Sequence, residues 1–267
     1  NTNADKIELL AIERAKKVFG AEHVNVQVLS GSIMNLAIYM AVLEPGDTIL
    51  AMDLSHGGHL SHGSPVSHTG KLFNFVYYKT DLATGKTDME EVEKLASEHK
   101  PKLILLGCTS YPHDYDYAGF KRVSDEVDAI TLADVSHTAG FIAGGVMENP
   151  FDHGFDIVAT TTHKSLRGPR GAIILCKEKF ARAIDKSVFP GLHGGPHMDN
   201  IAAVAVTLKE AESKEFKTYA RQTLDNAKVL ADELKRAGAS LIGGGTSNHL
   251  IVMDTIKSFA LSGKEVE

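Results

Sequence analysis

The stretch from Thr160 to Gly171 contains the side chain best suited to covalent chemistry. It reads Thr160-Thr161-Thr162-His163-Lys164-Ser165-Leu166-Arg167-Gly168-Pro169-Arg170-Gly171. A β-prone run over 156–162 would bring Lys164 to a strand end, and a glycine-rich turn precedes a second apolar strand at 172–176. Partial burial and neighbouring cations would lower the pKa of this lysine, and a neutral amine attacks carbonyl carbons. The pattern is typical of a Schiff-base lysine, although a surface lysine in a β-turn is the commoner origin of such a residue.

A carboxylate in a comparable position lies thirty residues earlier, at Asp134. It follows the predicted strand 129–133. A carboxylate at the end of a buried strand is costly unless it meets a cation, and a protonated pyridine ring is a suitable one. The alternative is an aspartate that merely forms an Asx turn, which is common at strand ends.

The segment Ser30-Gly31-Ser32 lies between a predicted strand at 25–29 and a predicted helix at 33–43. Free backbone N–H groups at a helix start, together with the helix dipole and serine hydroxyls, bind anions such as phosphate. A plain serine N-cap is the alternative explanation.

A histidine-rich turn follows the predicted strand 48–52. It reads Leu54-Ser55-His56-Gly57-Gly58-His59-Leu60-Ser61-His62-Gly63-Ser64-Pro65. Three histidines at intervals of three residues suggest a metal site, because imidazole is a common ligand. The Gly57-Gly58 pair interrupts any shared helical face, however, and the one nearby carboxylate is Asp53. A histidine ring stacked on a flat cofactor ring is the favoured interpretation.

The composition is that of an ordinary globular protein, with 23% charged and 43% hydrophobic residues among 267. The net charge of −6 gives no electrostatic basis for binding nucleic acid or an anionic membrane. No signal peptide or spanning run is recognisable. Cys108 and Cys176 both end apolar runs, so we expect buried free thiols and a cytoplasmic location. The chain begins without methionine and looks like a piece of a longer protein.

Strand and helix patterns alternate along the chain, which predicts an α/β fold with a largely parallel sheet. The remaining predicted strands are 71–78, 103–106 and 250–254. The remaining predicted helices are 7–19, 87–99 with Thr87 as its cap and Glu90 completing a capping box, 117–127, 200–212 and 216–237. The glycine- and proline-rich segment 187–196 is expected to lack regular structure.

Taken together, these motifs resemble those of the serine hydroxymethyltransferase family. The matching segments are the threonine run with His-Lys and Gly-Pro-Arg-Gly, Ser-Gly-Ser, His-Gly-Gly-His-Leu-x-His-Gly-Ser, Asp-x-x-His-x-x-Gly, Phe-Pro-Gly-x-x-Gly-Gly-Pro and Gly-Gly-Thr-x-Asn-His-Leu. The resemblance spans essentially all 267 residues. It implies the large domain of a fold-type-I transferase that depends on pyridoxal phosphate, with a mostly parallel, mixed sheet of seven strands flanked by helices. Residues 1–20 would end an N-terminal region, and 255–267 would begin the link to a small C-terminal domain.

The resemblance also implies roles for individual residues. The expected catalytic residues are Lys164, His163, Thr161, His59, Asp134 and His137. The expected cofactor contacts are Gly31, Ser32, His59, Thr109, Asp134, His137, Lys164, Gly194 and Gly195, and the expected folate contacts are Leu54, Gly58, His59 and Leu60. His59 would stack on the pyridine ring, Asp134 would bind the ring nitrogen, and His137 would lie on the side of the ring hydroxyl or the substrate carboxylate. Thr109 replaces a serine of the family pattern, and His193 replaces a glutamine.

The implied reaction is the interconversion of L-serine and glycine, with transfer of the one-carbon unit to tetrahydrofolate. Pyridoxal 5'-phosphate would be held covalently on Lys164. The implied assembly is a homodimer, with a tetramer as the alternative, in which Gly194 and Gly195 reach the neighbouring subunit's cofactor phosphate. The arginine that binds the substrate carboxylate, a catalytic glutamate and tyrosines would lie outside this segment. The alternatives are another fold-type-I enzyme such as a threonine aldolase or aminotransferase, or a non-catalytic fragment that acts only in dimerisation.

Overall fold

The computed structural model describes residues 2–81 and 83–267. Its seven strands belong to one sheet and come from short apolar runs. They are β1 His23–Asn25, β2 Thr48–Met52, β3 Asn74–Tyr78, β4 Leu103–Gly107, β5 Ile130–Asp134, β6 Ile157–Thr161 and β7 Ala172–Cys176.

Helices connect most of these strands. The α-helices are α1 Thr2–Phe19, α2 Gly31–Val42, α3 His68–Leu72, α4 Met89–His99, α5 Tyr117–Glu126, α6 Ala139–Ala143, α7 Ala181–Lys186, α8 Met198–Ala211, α9 Lys214–Arg236, α10 Thr255–Phe259 and α11 Gly263–Val266. Short 3-10 turns occupy Leu54–His56, Pro150–His153, Glu178–Phe180 and Ile242–Gly244.

The strand order across the sheet is β1-β7-β6-β5-β4-β2-β3. Strands β2 to β6 pair in parallel, whereas β7 runs antiparallel to both β6 and β1. The expected α/β fold with a mixed, mostly parallel sheet of seven strands is therefore confirmed. Because β5 and β6 are parallel neighbours, their carboxyl ends meet at one edge of the sheet, where ligands bind in folds of this kind.

The sheet separates two apolar cores. Alternate side chains of β4 enter opposite cores, with Ile104 and Leu106 on one side and Leu103 and Leu105 on the other. The first core is covered by α1, α4, α5, α6 and α8, and the second by α2 and α7. This three-layer arrangement buries both faces of the strands and leaves their carboxyl ends free to carry polar residues.

Several sequence-based boundaries near the first strands are wrong, each for a local reason. The first strand is His23–Asn25 and not 25–29, because the Asn25 side chain accepts a hydrogen bond from the Gln27 N–H and ends the ladder. The predicted strand 71–78 begins only at Asn74, because Ser67 caps the short helix α3 that precedes it. Asp88, and not Thr87, caps α4 by accepting bonds from Glu90 and Glu91 N–H groups.

Two C-terminal predictions also fail. The segment 250–254 forms no strand among the described residues, since Asn248 Oδ1 accepts the Leu250 N–H and only an isolated bridge joins Leu241 to Met253. The segment 187–196 is not wholly irregular, because Ser187–Leu192 makes a helical turn, interrupted at Phe189. No helix within residues 2–81 and 83–267 combines the length and apolarity needed to cross a membrane.

Candidate active site

Lys164 lies three residues beyond the end of β6, in the turn that leads to β7. Its ammonium Nζ donates a hydrogen bond of 3.0 Å to Thr161 Oγ1, and the turn is closed by Gly168 N–H bonding to the Thr162 carbonyl at 2.7 Å. Burial lowers the pKa of Lys164 from its usual 10.5, whereas Asp134 and Cys108 both act in the opposite sense. Burial therefore lowers the pKa of Lys164 as expected. The expected neighbouring cations are not found among the described groups that shift this pKa.

Asp134, the last residue of β5, accepts four hydrogen bonds. Oδ2 accepts from Asn35 Nδ2 at 3.0 Å and lies 3.3 Å from His62 Nε2. Oδ1 accepts from the Ser136 N–H at 3.1 Å and from Ser136 Oγ at 2.5 Å. Burial alone would raise the pKa of Asp134, but His62, Ser136 and Asn35 together hold it well below its usual value. The carboxylate therefore stays ionised in a largely buried position.

A chain of hydrogen bonds connects the lysine to this carboxylate. Lys164 Nζ donates to Thr161 Oγ1, the Thr161 N–H donates to Ser136 Oγ at 2.9 Å, and Ser136 Oγ donates to Asp134. The parallel pairing of β5 with β6 sets this arrangement, because Asp134 is in register with Ala159. Two residues thirty positions apart in sequence are thus joined through Thr161, by its hydroxyl and its backbone N–H, and through the Ser136 side chain.

Helix α2 begins beside the lysine strand. A side chain on Gly31 would place its Cβ 2.8 Å from Thr161 Cγ2, so the close approach requires glycine. Ser30 stands at the N-cap in an extended conformation and makes no side-chain capping bond. The predicted capping role of this serine is therefore not used, and the N–H groups at the start of α2 lie next to Thr161. Ser32 is exposed in the first turn.

His59 has a fixed ring orientation. Its Nδ1 accepts a 3.1 Å hydrogen bond from the Ser61 N–H and lies 2.7 Å from Ser61 Oγ, which leaves the ring proton on Nε2. Burial lowers the pKa of His59, and His62 and Lys164 act in the same direction while Asp134 opposes them. The ring is therefore neutral at pH 7 and close enough to Asp134 and Lys164 to feel both charges.

The three histidines of this turn bind different partners. His56 Nδ1 lies 2.9 Å from Thr80 Oγ1, His59 bonds to Ser61, and His62 bonds to Asp134. Within residues 2–81 and 83–267, no group of three histidine, cysteine, aspartate or glutamate side chains is arranged to hold a metal ion.

His137 and His163 complete the inner cluster. Burial, with Lys164 and His249 adding to it, lowers the pKa of His137 to about 4. Burial, Lys164 and Arg170 lower the pKa of His163, whose Nδ1 is buried without a hydrogen-bond partner. Both rings are neutral at pH 7 and can accept or donate a proton near the lysine.

The other predicted site residues lie farther out. The Thr109 N–H donates to the Gly57 carbonyl at 2.7 Å, so this exposed threonine is tied to the histidine-rich turn. Leu54 and Leu60 are about half exposed, and a Cβ on Gly58 would lie 2.4 Å from the Met52 carbonyl oxygen. Gly194 and Gly195 are exposed, with no atom within 4 Å of an added Cβ. The structure does not bring these two glycines to the cluster around Lys164.

Comparison with known proteins decides the family. The sequence model of the family described as "Serine hydroxymethyltransferase" matches residues 1–267. The chain belongs to the serine hydroxymethyltransferase family. A curated serine hydroxymethyltransferase from Coprothermobacter proteolyticus is 54% identical over 264 residues, covering 99% of this chain and 63% of that relative. The chain therefore spans less than two thirds of the length of this curated relative.

In this member of the family, sequence reasoning missed four polar residues that support the expected ones. They are Asn35, Ser61, His62 and Ser136. His62 had a signal, because it stands three residues after His59 in the quoted histidine motif. Ser136 follows Asp134 by two residues, the spacing of an Asx turn. Asn35 had the weaker signal of a polar residue near the start of a largely apolar helix.

A cleft of about 680 Å³ opens beside Asp134 and His137 in this member of the family. Its lining includes Leu106, Cys108 and, from α9, Arg221. Burial raises the pKa of the Cys108 thiol to about 11, so the thiol is protonated and is not a nucleophile at neutral pH. Of the Cys108 thiol and the Lys164 amine, the amine, with its lowered pKa, is therefore the better candidate nucleophile.

Proposed function

We propose that this chain is the cofactor-binding large domain of an enzyme that interconverts L-serine and glycine and transfers the one-carbon unit to tetrahydrofolate. The observation that carries the proposal is the hydrogen-bond chain from Lys164 through Thr161 and Ser136 to Asp134, at the carboxyl ends of two adjacent parallel strands. Membership of the serine hydroxymethyltransferase family over residues 1–267 supplies the substrate class.

The residues fit pyridoxal phosphate as its cofactor. Asp134 is an ionised carboxylate in a buried place, stabilised by His62 and neutral donors, and its negative charge would attract the protonated nitrogen of a pyridine ring. The start of α2 offers free backbone N–H groups beside Gly31, where a phosphate would be stabilised by the helix dipole. Lys164 supplies a half-buried amine with a lowered pKa for the covalent link.

When bound, pyridoxal phosphate supplies a carbonyl that reacts with amines and a ring that withdraws electrons from a neighbouring carbon. The chain's own residues would hold and orient it. Asp134 would keep the ring nitrogen protonated, because an ionised carboxylate favours the charged form of its partner. His59, whose ring plane is set by Ser61, would stack on the cofactor ring. Thr161 orients Lys164, while His163 and His137 are neutral rings able to move a proton.

The folate side of the site would lie along the histidine-rich turn. Leu54 and Leu60 expose about half of their side chains, although apolar residues of this size are usually buried. We assign them, with Gly58 and His59, to contacts with the pterin and its flanking ring. Thr109, tied to Gly57, would lie near the cofactor's ring hydroxyl.

The proposed assembly is a homodimer, with a tetramer as the larger possibility, and shared active sites. Exposed Gly194 and Gly195 in one subunit support this, since their free backbone could reach the phosphate held in the other. The exposed Phe189 and Leu192 in the same loop are suited to a subunit contact. We also propose a reducing, cytoplasmic location, because Cys108 and Cys176 are free thiols.

The first test is reduction of the chain with borohydride in the presence of pyridoxal phosphate, followed by peptide mapping of the labelled lysine. We expect one label on Lys164, lost in Lys164→Ala and retained in Lys179→Ala, an exposed lysine beside β7. Label spread over many lysines, in this chain and in a longer protein containing it, would overturn the assignment of the anchor.

The second test separates the reaction from the cofactor. A longer protein that contains this chain, and that is labelled at Lys164 in the first test, is assayed for glycine formation from L-serine with and without tetrahydrofolate. Folate-dependent formation supports the proposal. Cleavage of L-threonine without any folate-dependent turnover of serine would instead assign the chain to a threonine aldolase activity.

A further inference from the structure

His249 lies face to face with His137. Their ring centroids are 5.9 Å apart and their planes differ by 21°. The centroid of the Phe141 ring, in helix α6 just after His137, lies 5.1 Å from that of His249. His137 follows β5 by three residues, whereas His249 comes from the far end of the chain. A residue with no assigned role is thus stacked on one of the expected cofactor contacts.

Asn248, the residue before His249, is held in place by several hydrogen bonds. Asn248 is 1% exposed, and its Nδ2 donates to the Tyr111 carbonyl at 3.0 Å and to the His113 carbonyl at 3.4 Å. Its Oδ1 accepts the Leu250 N–H at 2.8 Å, and the Ser247 N–H donates to the Pro112 carbonyl at 2.9 Å. The backbone on both sides of His249 is therefore fixed to the loop that follows β4.

This anchoring gives His249 a defined place from which to act on His137. His249 Nδ1 is buried without a hydrogen-bond partner, so the ring is not held in place by a bond from that nitrogen. The His249 ring is instead stacked on His137 and tilted against Phe141. Stacked and tilted aromatic pairs have preferred geometries, and each restricts the rotation of its partner.

We propose that His249 is a positioning residue that fixes the ring plane of His137 at the edge of the cofactor site, an inference that rests on the function proposed above. Rotation of His137 about its side-chain bonds would turn its ring nitrogens away from the cofactor hydroxyl or the substrate carboxylate. The stack with His249 disfavours that rotation. His249 thereby acts on the site through its contact with His137.

The test compares His249→Phe, which keeps an aromatic face, with His249→Leu, which fills similar space without one. Protein labelled with ¹⁵N and ¹³C at histidine is observed by NMR without cofactor, and the His137 ring signal is assigned by its loss in His137→Gln. We expect His249→Leu to shift the His137 ring signal and His249→Phe to restore it close to its original position. With cofactor, His249→Leu should weaken pyridoxal phosphate binding by roughly two- to tenfold, the range for loss of one aromatic pair.

His153→Leu is the matched control, because His153 also contacts an aromatic ring, Tyr117 at 5.6 Å, but away from the cluster. It should leave the His137 signal and cofactor binding unchanged. An unchanged His137 signal in His249→Leu would overturn the inference, as would equal losses in the Phe and Leu variants. The NMR comparison needs no bound cofactor, so it remains decisive even where borohydride labelling of Lys164 fails and the proposed function is wrong.

Discussion

Asp134 shows how a buried carboxylate can remain ionised without a lysine or arginine beside it. Its four hydrogen bonds come from Asn35, His62 and Ser136, and only His62 can carry a charge. Burial opposes the charged form, but the contacts with His62, and after it those with Ser136 and Asn35, stabilise that form more strongly. The carboxylate therefore keeps its negative charge for another cation, which is the condition for holding a pyridine nitrogen protonated.

The first prediction concerns His62. Replacing it with asparagine removes the ring that lies 3.3 Å from Asp134 Oδ2 and raises the pKa of Asp134 toward its usual value. Because a hydrogen bond to a charged group contributes about 1.5–3 kcal/mol, we expect pyridoxal phosphate to bind roughly ten- to a hundredfold more weakly in spectroscopic titrations. His56→Asn is the control, since His56 bonds to Thr80. Equal losses in the two variants would contradict the role given to His62.

The second prediction concerns the amine of Lys164. Because burial lowers its pKa below 10.5, its reaction with an acylating reagent should rise with pH at a lower midpoint than in an unfolded peptide. Asp134 partly offsets this lowering, so Asp134→Asn should move the midpoint lower still. Peptide mapping by mass spectrometry across a pH series measures both. A midpoint that rises in Asp134→Asn would show that the carboxylate does not act on Lys164.

At the scale of elements, strand positions along the sheet were largely predictable. Short apolar runs bounded by turn residues located β2, β4, β6 and β7 to within one or two residues. The segment 250–254 has the same apolar character, but a strand needs a neighbour with free backbone groups, and Asn248 takes the Leu250 N–H instead. Pairing partners of this kind are a property of the whole fold and cannot be read from a local pattern.

The candidate site likewise contains residues that the sequence indicated and residues that only the fold brings in. Lys164, Asp134 and His59 stand in motifs whose residue types suggest chemistry, so the sequence indicated them. Asn35 and Ser136 depend on which strands and helices become neighbours, since Ser136 joins β5 to β6 and Asn35 joins α2 to Asp134. A side chain that acts by supporting another leaves little trace in its own local sequence.

The third prediction concerns the turn that carries Lys164. Arg167 has a left-handed backbone (φ 63°), and its guanidinium lies 4.2 Å from the Tyr219 ring centroid and 5.3 Å from that of Phe216, both on α9. Arg167→Ala keeps the strained backbone and loses the cation–π contacts, so we expect a loss of about 0.5–1 kcal/mol in the free energy of unfolding. Arg167→Gly relieves the strain and should be no less stable than the alanine variant.

Chemical denaturation measures the free energies of unfolding of the two Arg167 variants and the parent chain. All are fitted with one dependence of that free energy on denaturant concentration. Lys100→Gly is the matched control, because Lys100 ends α4 in the same left-handed region (φ 43°). It should be as stable as the parent chain or more so. An Arg167→Gly variant that is clearly less stable than Arg167→Ala would show that backbone strain is not important in this turn.

For the whole molecule, the cluster around Lys164 joins parts of the chain that are distant in sequence. The start of α2, the histidine-rich turn, the ends of β5 and β6 and the C-terminal segment around His249 all meet there. Such a site forms only when the complete fold forms. The protonation of its histidines is therefore coupled to the stability of the whole chain.

Four histidines of the cluster have pKa values lowered by burial in the folded state. They are His59, His137, His163 and His249. The unfolded chain binds protons at these sites near pH 6.5, whereas folded His137 does so only near pH 4. Where the unfolded state binds more protons, stability rises with pH. Acid therefore destabilises the fold progressively between about pH 6.5 and pH 4.

The fourth prediction is that His137→Gln flattens this acid dependence. Glutamine does not titrate, so the variant should lose on the order of 1–2 kcal/mol less stability than the parent between pH 6.5 and pH 4, after allowance for partial solvent exposure of the ring. Urea denaturation at several pH values measures the difference, with His153→Gln as the control. Asp114 works in the opposite sense, because burial raises its pKa, and it is unchanged in both variants. Parallel stability profiles for His137→Gln and the parent would mean that His137 takes up its proton equally in the folded and unfolded states, and the neutral ring assigned to it in the site would then be wrong.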